Sequence, residues 1–122
     1  MPVITPEDAP TFDAGGATIT GLASPSRGAA DTAAWRVRFS AGHASPPHSL
    51  DREEVFVVLA GALTARYADR QETAPAGGAL IVPPHTEFAL VAETGEAEAV
   101  CTFPVGGTAL LDGERITPPW AV

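Results

Sequence analysis

The chain contains no lysine. Its seven basic residues are all arginines and stand against fifteen acidic ones, for a formal net charge of −8. A domain this acidic repels a phosphate backbone, which argues against nucleic acid as a partner. The acidity otherwise serves solubility. Cysteine is represented once, by Cys101, so no intramolecular disulfide and no cysteine-based zinc site can form. No apolar run approaches the roughly eighteen residues of a transmembrane helix, and no membrane partner is expected. The opening MPVITPEDAP lacks the basic segment and apolar stretch of a secretory leader; the expected location is the cytoplasm. Long helical patterns are missing too, because twelve glycines and twelve prolines interrupt the chain.

What remains is a succession of short strand-like stretches, read as one domain over residues 1–122. The first sixteen residues form a proline-rich arm with at most one edge strand near Val3-Ile4. Ala17 to Leu22 alternates weakly, and Ser24 to Thr32 is a loop by composition. Trp35 to Phe39 alternates most clearly: Trp35, Val37 and Phe39 share one face, Arg36 and Arg38 the other. Solvent is the ordinary destination of that arginine face. If it lines a pocket instead, Arg36 or Arg38 would hold an anionic ligand bidentately. Val55 to Leu59, Leu63 to Tyr67, Ala79 to Val82, Phe88 to Ala92 and Ala97 to Phe103 follow as strands, with Ala68 to Ala76 read as a polar loop. Ala109 to Leu111 and Arg115 to Thr117 pair around Asp112-Gly113. Strands this short, at this spacing, predict an all-β sandwich or barrel.

The stretch with the most chemistry is Gly42 to Gly61, GHASPPHSLDREEVFVVLAG. Glu54 is polar and opens an apolar run, which places it at the lip of a core or facing a pocket. His48, Leu50 and Glu54 are evenly spaced, so in extended chain they share a face. The spacing resembles the first motif of the cupin family, a glycine, two histidines, a glutamate and a closing glycine, with Leu50 where the second histidine stands. Gly77 to Ala92, GGALIVPPHTEFALVA, resembles the second motif. There Gly77 and Pro83 match, while His85, Phe88 and Ala92 replace a glycine, a histidine and an asparagine. The closing TPPWA is similar to the ending of short single-domain bacterial cupins.

The resemblance implies a single cupin-type β-barrel, a small jelly roll with its core at about residues 35–104. It also implies a homodimer, with the N-terminal arm and the Trp120 tail as candidate contacts. Trp120 is read as packing on its own domain or on a second subunit. In metal-binding cupins three histidines and a glutamate converge inside the barrel. By position the ligands here would be His48, Leu50, Glu54 and Phe88, two of which have no lone pair to donate. A divalent metal is therefore less expected than none. If one binds, its ligands would be His48 and Glu54 with His43 or His85, the chain's only other histidines.

The functional expectation is a barrel that binds a small organic molecule in an apolar pocket bordered by Leu50 and Phe88, with Arg36, Arg38 and Tyr67 as further candidates. His48 and Glu54 either hydrogen-bond and satisfy one another, or form a metal-free acid–base dyad suited to isomerisation or cyclisation. Cys101, on an apolar strand, reads as a buried small hydrophobe. The alternatives are a metal-dependent, dioxygenase-like enzyme with an irregular ligand set, and a non-catalytic regulatory or assembly module.

Overall fold

A computed structural model describes residues 2–122. It is almost entirely sheet. In chain order the strands are β1 (Thr11–Asp13), β2 (Ala17–Ala23), β3 (Thr32–Phe39), β4 (Ser49–Leu50), β5 (Glu54–Ala60) and β6 (Ala62–Arg66). They continue as β7 (Gln71–Pro75), β8 (Ala79–Val82), β9 (Ala89–Val91), β10 (Ala97–Pro104), β11 (Ala109–Leu111) and β12 (Glu114–Ile116). Single-turn 3-10 helices at Pro25–Arg27 and Pro119–Ala121 complete the described chain. No helix among the described residues is long and apolar enough to cross a membrane.

The strands form one six-stranded sheet, in the order β1-β2-β3-β10-β5-β8, and two three-stranded sheets, β12-β11-β4 and β7-β6-β9. Neighbours in space are often distant in sequence. β10 runs between β3 and β5, pairing Cys101 with Trp35 on one side and with Phe56 on the other. These crossovers make a jelly roll. Strand alternation then fixes the core. Trp35, Val37 and Phe39 point inward from β3, as do Ala99, Cys101 and Phe103 from β10 and Phe56 and Val58 from β5, all buried. They meet Leu63 and Ala65 of β6 and Leu90 of β9 in one cluster.

Two strand assignments need correction. The arm's edge strand is not at Val3-Ile4 but at Thr11–Asp13, where it pairs with β2. Nor is Ala68 to Ala76 a loop: Gln71–Pro75 is a strand paired along β6. Its only buried residue is Ala74. An edge strand held by backbone pairing leaves little apolar pattern to read. One polar contact supports it, the Thr64 and Thr73 hydroxyls at 2.8 Å.

Gly61 links β5 to β6 at φ +70°, and a Cβ there would collide with the Glu96 carbonyl oxygen. Gly77 has a similar backbone, φ +88°, but faces open space. Gly77→Ala should therefore cost only the left-handed strain, about 1 kcal/mol. Gly61→Ala adds a backbone clash and should cost about 3 kcal/mol. Urea unfolding of both variants measures the gap; equal losses would mean that the Glu96 contact does not constrain the turn.

Candidate functional site

Glu54 is the first residue of β5 and lies on the same face as Phe56 and Val58. Alternation therefore sends a carboxyl inward, and only 5% of the residue is exposed. It meets a cavity of about 350 Å³. Trp35, Phe39, Phe56 and Trp120 supply aromatic wall, and Ile19, Val37, Leu50 and Leu90 supply aliphatic wall. The polar side chains on it are Glu54, His43, His48, Cys101 and Ser45.

Each wall segment is held in place by a local device. Asp51, next to Leu50, accepts hydrogen bonds from the Thr108 N–H at 2.7 Å and the Thr108 hydroxyl at 2.9 Å. The Thr108 N–H, foremost among these contacts, keeps the Asp51 carboxyl below its ordinary pKa. His48 exchanges backbone hydrogen bonds with Phe88, and their rings lie 4.5 Å apart. The His48 Nδ1 is 2.9 Å from the Pro46 carbonyl oxygen. A carbonyl can only accept, so Nδ1 carries the proton and a neutral ring keeps its Nε2 lone pair free. His43 stacks on Phe39 at 6.1 Å, and its ring fills the space where a Cβ on Gly16 would stand. The tail closes another side. Trp120 packs edge-on against Trp35 at 6.3 Å and Phe12 at 6.1 Å, and its carbonyl accepts from Arg27 at 3.3 Å. Trp120 thus packs on its own chain.

Glu54 has no such device. Among the described residues no hydrogen bond or ion pair reaches its carboxyl, and burial pushes its pKa up to about 8. Beside it, the Cys101 thiol is raised well above its ordinary value, first by burial and then by the Glu54 charge, with the Trp35 indole N–H opposing.

Several expectations from the sequence change here. Glu54 and His48 line one cavity, but they form no hydrogen bond to each other. Arg36 and Arg38 point out of the sheet, and Arg36 pairs with Glu98 at 3.3 Å, so neither reaches the cavity. Tyr67 lies outside as well, under the Arg70 guanidinium at 4.3 Å. Phe88 is 1% exposed and packs against His48 and Phe56 as core rather than as wall of this cavity; it and Tyr67 border a second, more open hollow of about 390 Å³. His85 is exposed at a turn with φ +59°. That left-handed backbone is why a glycine suits the position, and His85 is not part of the cavity wall. Leu50 lines the cavity as expected. Trp120, Phe56 and Cys101 were not singled out as cavity residues; the alternation of β5 and β10 could have revealed the last two.

The donor set does not suit a metal. His43, His48 and Glu54 share the cavity, yet among the described residues no three His, Cys, Asp or Glu side chains converge as ligands. Leu50 and Phe88 occupy the positions that would complete the set, and neither can ligate.

A jelly roll around an apolar cavity, with an unpartnered carboxyl on its wall, defines the class of protein. Residues 35–104 match the family described as Cupin domain. The chain belongs to the cupin family. Among solved structures it is similar to the polyketide cyclase RemF from Streptomyces resistomycificus, at 20% identity and TM-score 0.74, covering 96% of this chain and 82% of that one. It is also similar to KdgF from Halomonas sp., at 21% identity and TM-score 0.71, covering 84% and 91%. An RmlC-like cupin from Shewanella frigidimarina gives 21% identity and TM-score 0.71, covering 84% and 88%. At these identities the likeness is one of fold. No curated protein matches the sequence.

Two outcomes follow from the site. Glu54 holds a proton in the folded state that the unfolded chain releases above about pH 4.5. Stability should therefore fall as pH rises from about 4.5 through about 8 and level off above it. The full loss is on the order of 5 kcal/mol at about 1.4 kcal/mol per pH unit. Urea unfolding across this range should show that Glu54→Gln lacks this component; parallel pH profiles for the two proteins would place the Glu54 pKa near its ordinary value. Elemental analysis after incubation with iron, manganese and zinc should give far less than one metal per wild-type chain. A stoichiometric metal lost in His48→Ala would overturn the reading of Leu50 and Phe88.

Proposed function

We propose that the protein binds a small apolar organic molecule in the cavity and moves protons on it without a metal, as an isomerase or cyclase. The observation that carries the reading is Glu54, a buried carboxyl with no protein partner on the wall of an otherwise apolar cavity. Burial keeps it protonated at neutral pH, so it can act as a hydrogen-bond donor and general acid. His48 also lines the cavity, with Nδ1 committed to Pro46 and Nε2 free to accept. In the proposed reaction His48 Nε2 removes a proton from the carbon beside a carbonyl, while Glu54 protonates the carbonyl oxygen. Where the enol is conjugated with a C=C, His48 returns its proton to the far carbon of that system while Glu54 recovers the enol O–H proton, which is isomerisation. Otherwise the enol carbon attacks a second carbonyl of the same molecule, His48 protonates the new alkoxide and Glu54 recovers the enol O–H proton, which is cyclisation. The likeness in fold to a polyketide cyclase supports the reading by precedent only.

The binding half is tested with N-phenylnaphthylamine, an uncharged probe that fluoresces when it leaves water. Wild-type protein should raise its emission. Leu50→Arg, which projects a charged side chain into the cavity, should abolish that rise. Undiminished binding in Leu50→Arg would place the apolar site elsewhere.

A further inference from the structure

Among the described residues no arginine side chain lies on the cavity wall, and the sequence has no lysine. Of the four titratable groups on the wall, His48 donates Nδ1–H to Pro46, His43 is half-buried and stacked on Phe39, and Cys101 is a buried thiol beside the Trp35 indole. Glu54, 95% buried, meets no hydrogen-bond or ion-pair partner among the described residues. The indole N–H of Trp120, another residue of the wall, is buried without a partner too. A buried polar group without a partner is costly, and native proteins rarely leave one so. The missing partner is the ligand's to supply.

The chemistry of the wall then discriminates among ligands. An anion would enter a cavity that offers no positive side chain, in a chain of net charge −8. An ammonium carries three donors, while the wall offers it His48 Nε2 and a Glu54 carboxyl that would first have to ionise, so much of its lost hydration would go unreplaced. A carbonyl oxygen needs one donor, which a carboxylic acid provides. The rest of such a ligand would meet the Trp35–Trp120 pair, set edge to face at 6.3 Å, and Phe56; aromatic rings favour an aromatic guest.

We propose that the cavity selects uncharged aromatic molecules bearing a carbonyl group, with the Glu54 acid donating its hydrogen bond to the carbonyl oxygen. This rests on the proposed binding of an apolar molecule in the same cavity and names its chemical class.

The test is equilibrium dialysis at neutral pH with four probes on one ring system: naphthalene, methyl naphthyl ketone, naphthoate and naphthylmethylammonium. The ketone should bind at least about tenfold tighter than either ion, the scale of one buried hydrogen bond. Glu54→Leu should remove most of the ketone's advantage over naphthalene, and Glu54→Gln, which keeps a donor, should retain it. Far-UV circular dichroism establishes that both variants are folded. An ion that binds as tightly as the ketone would overturn the selectivity. A ketone indifferent to Glu54→Leu would overturn the role of Glu54. If naphthalene and the other probes all fail to bind, the underlying cavity-binding reading falls instead.

Discussion

A carboxyl that is buried and given no hydrogen-bond partner sets the terms for the rest of this structure. Glu54 cannot point outward, because it opens a strand whose alternate residues, Phe56 and Val58, are core. It cannot ionise cheaply either, since among the described residues no cation pairs with it and no donor hydrogen-bonds to it. A single pleat position therefore produces a neutral acid on an apolar wall. In a metal-binding relative the same position would be a ligand. Here Leu50 and Phe88 supply no donor, and the glutamate carboxyl is left without a protein partner among the described residues.

The cavity around Glu54 depends on contacts distant in sequence. β3, β5 and β10 supply one wall, the segment from His43 to Leu50 another, and the β11–β12 hairpin with the Trp120 tail a third. Each is pinned by different chemistry: ladder hydrogen bonds, the Asp51–Thr108 contacts, and the aromatic packing of Trp120 on Trp35 and Phe12. The tail is thus part of the site, and changes near the C-terminus should be felt in the cavity.

Much of the fold was legible in the sequence because strand alternation is a local signal. Trp35, Val37 and Phe39 announced an inward face, as the structure has them, and Ala79 to Val82 is a strand as expected, but one at the sheet edge that buries only Leu80 and Val82 and leaves Ile81 exposed. β7 was hidden because its side chains, Ala74 apart, are exposed and its stability comes from backbone pairing. The site was legible only in part. Motif spacing brought out His48, Leu50 and Glu54, and all three line the cavity. It could not show that His48 would turn its Nδ1 to Pro46 and leave Glu54 alone. Nor could it place Trp120, which reaches the cavity only through the path of the tail. Tyr67 failed for the converse reason: it sits at the end of an alternating stretch, where β6 has already turned toward Arg70.

The central claim, a neutral carboxylic acid on the cavity wall, has a direct spectroscopic signature. Infrared difference spectra of wild type against Glu54→Gln at neutral pH should contain the carbonyl stretch of one protonated carboxylic acid. That band should disappear as the pH rises past about 8. A difference spectrum with only carboxylate bands at neutral pH would mean that Glu54 is ionised. It would then have to possess a partner, and both the acid–base reading and the proposed ligand class would fail with it.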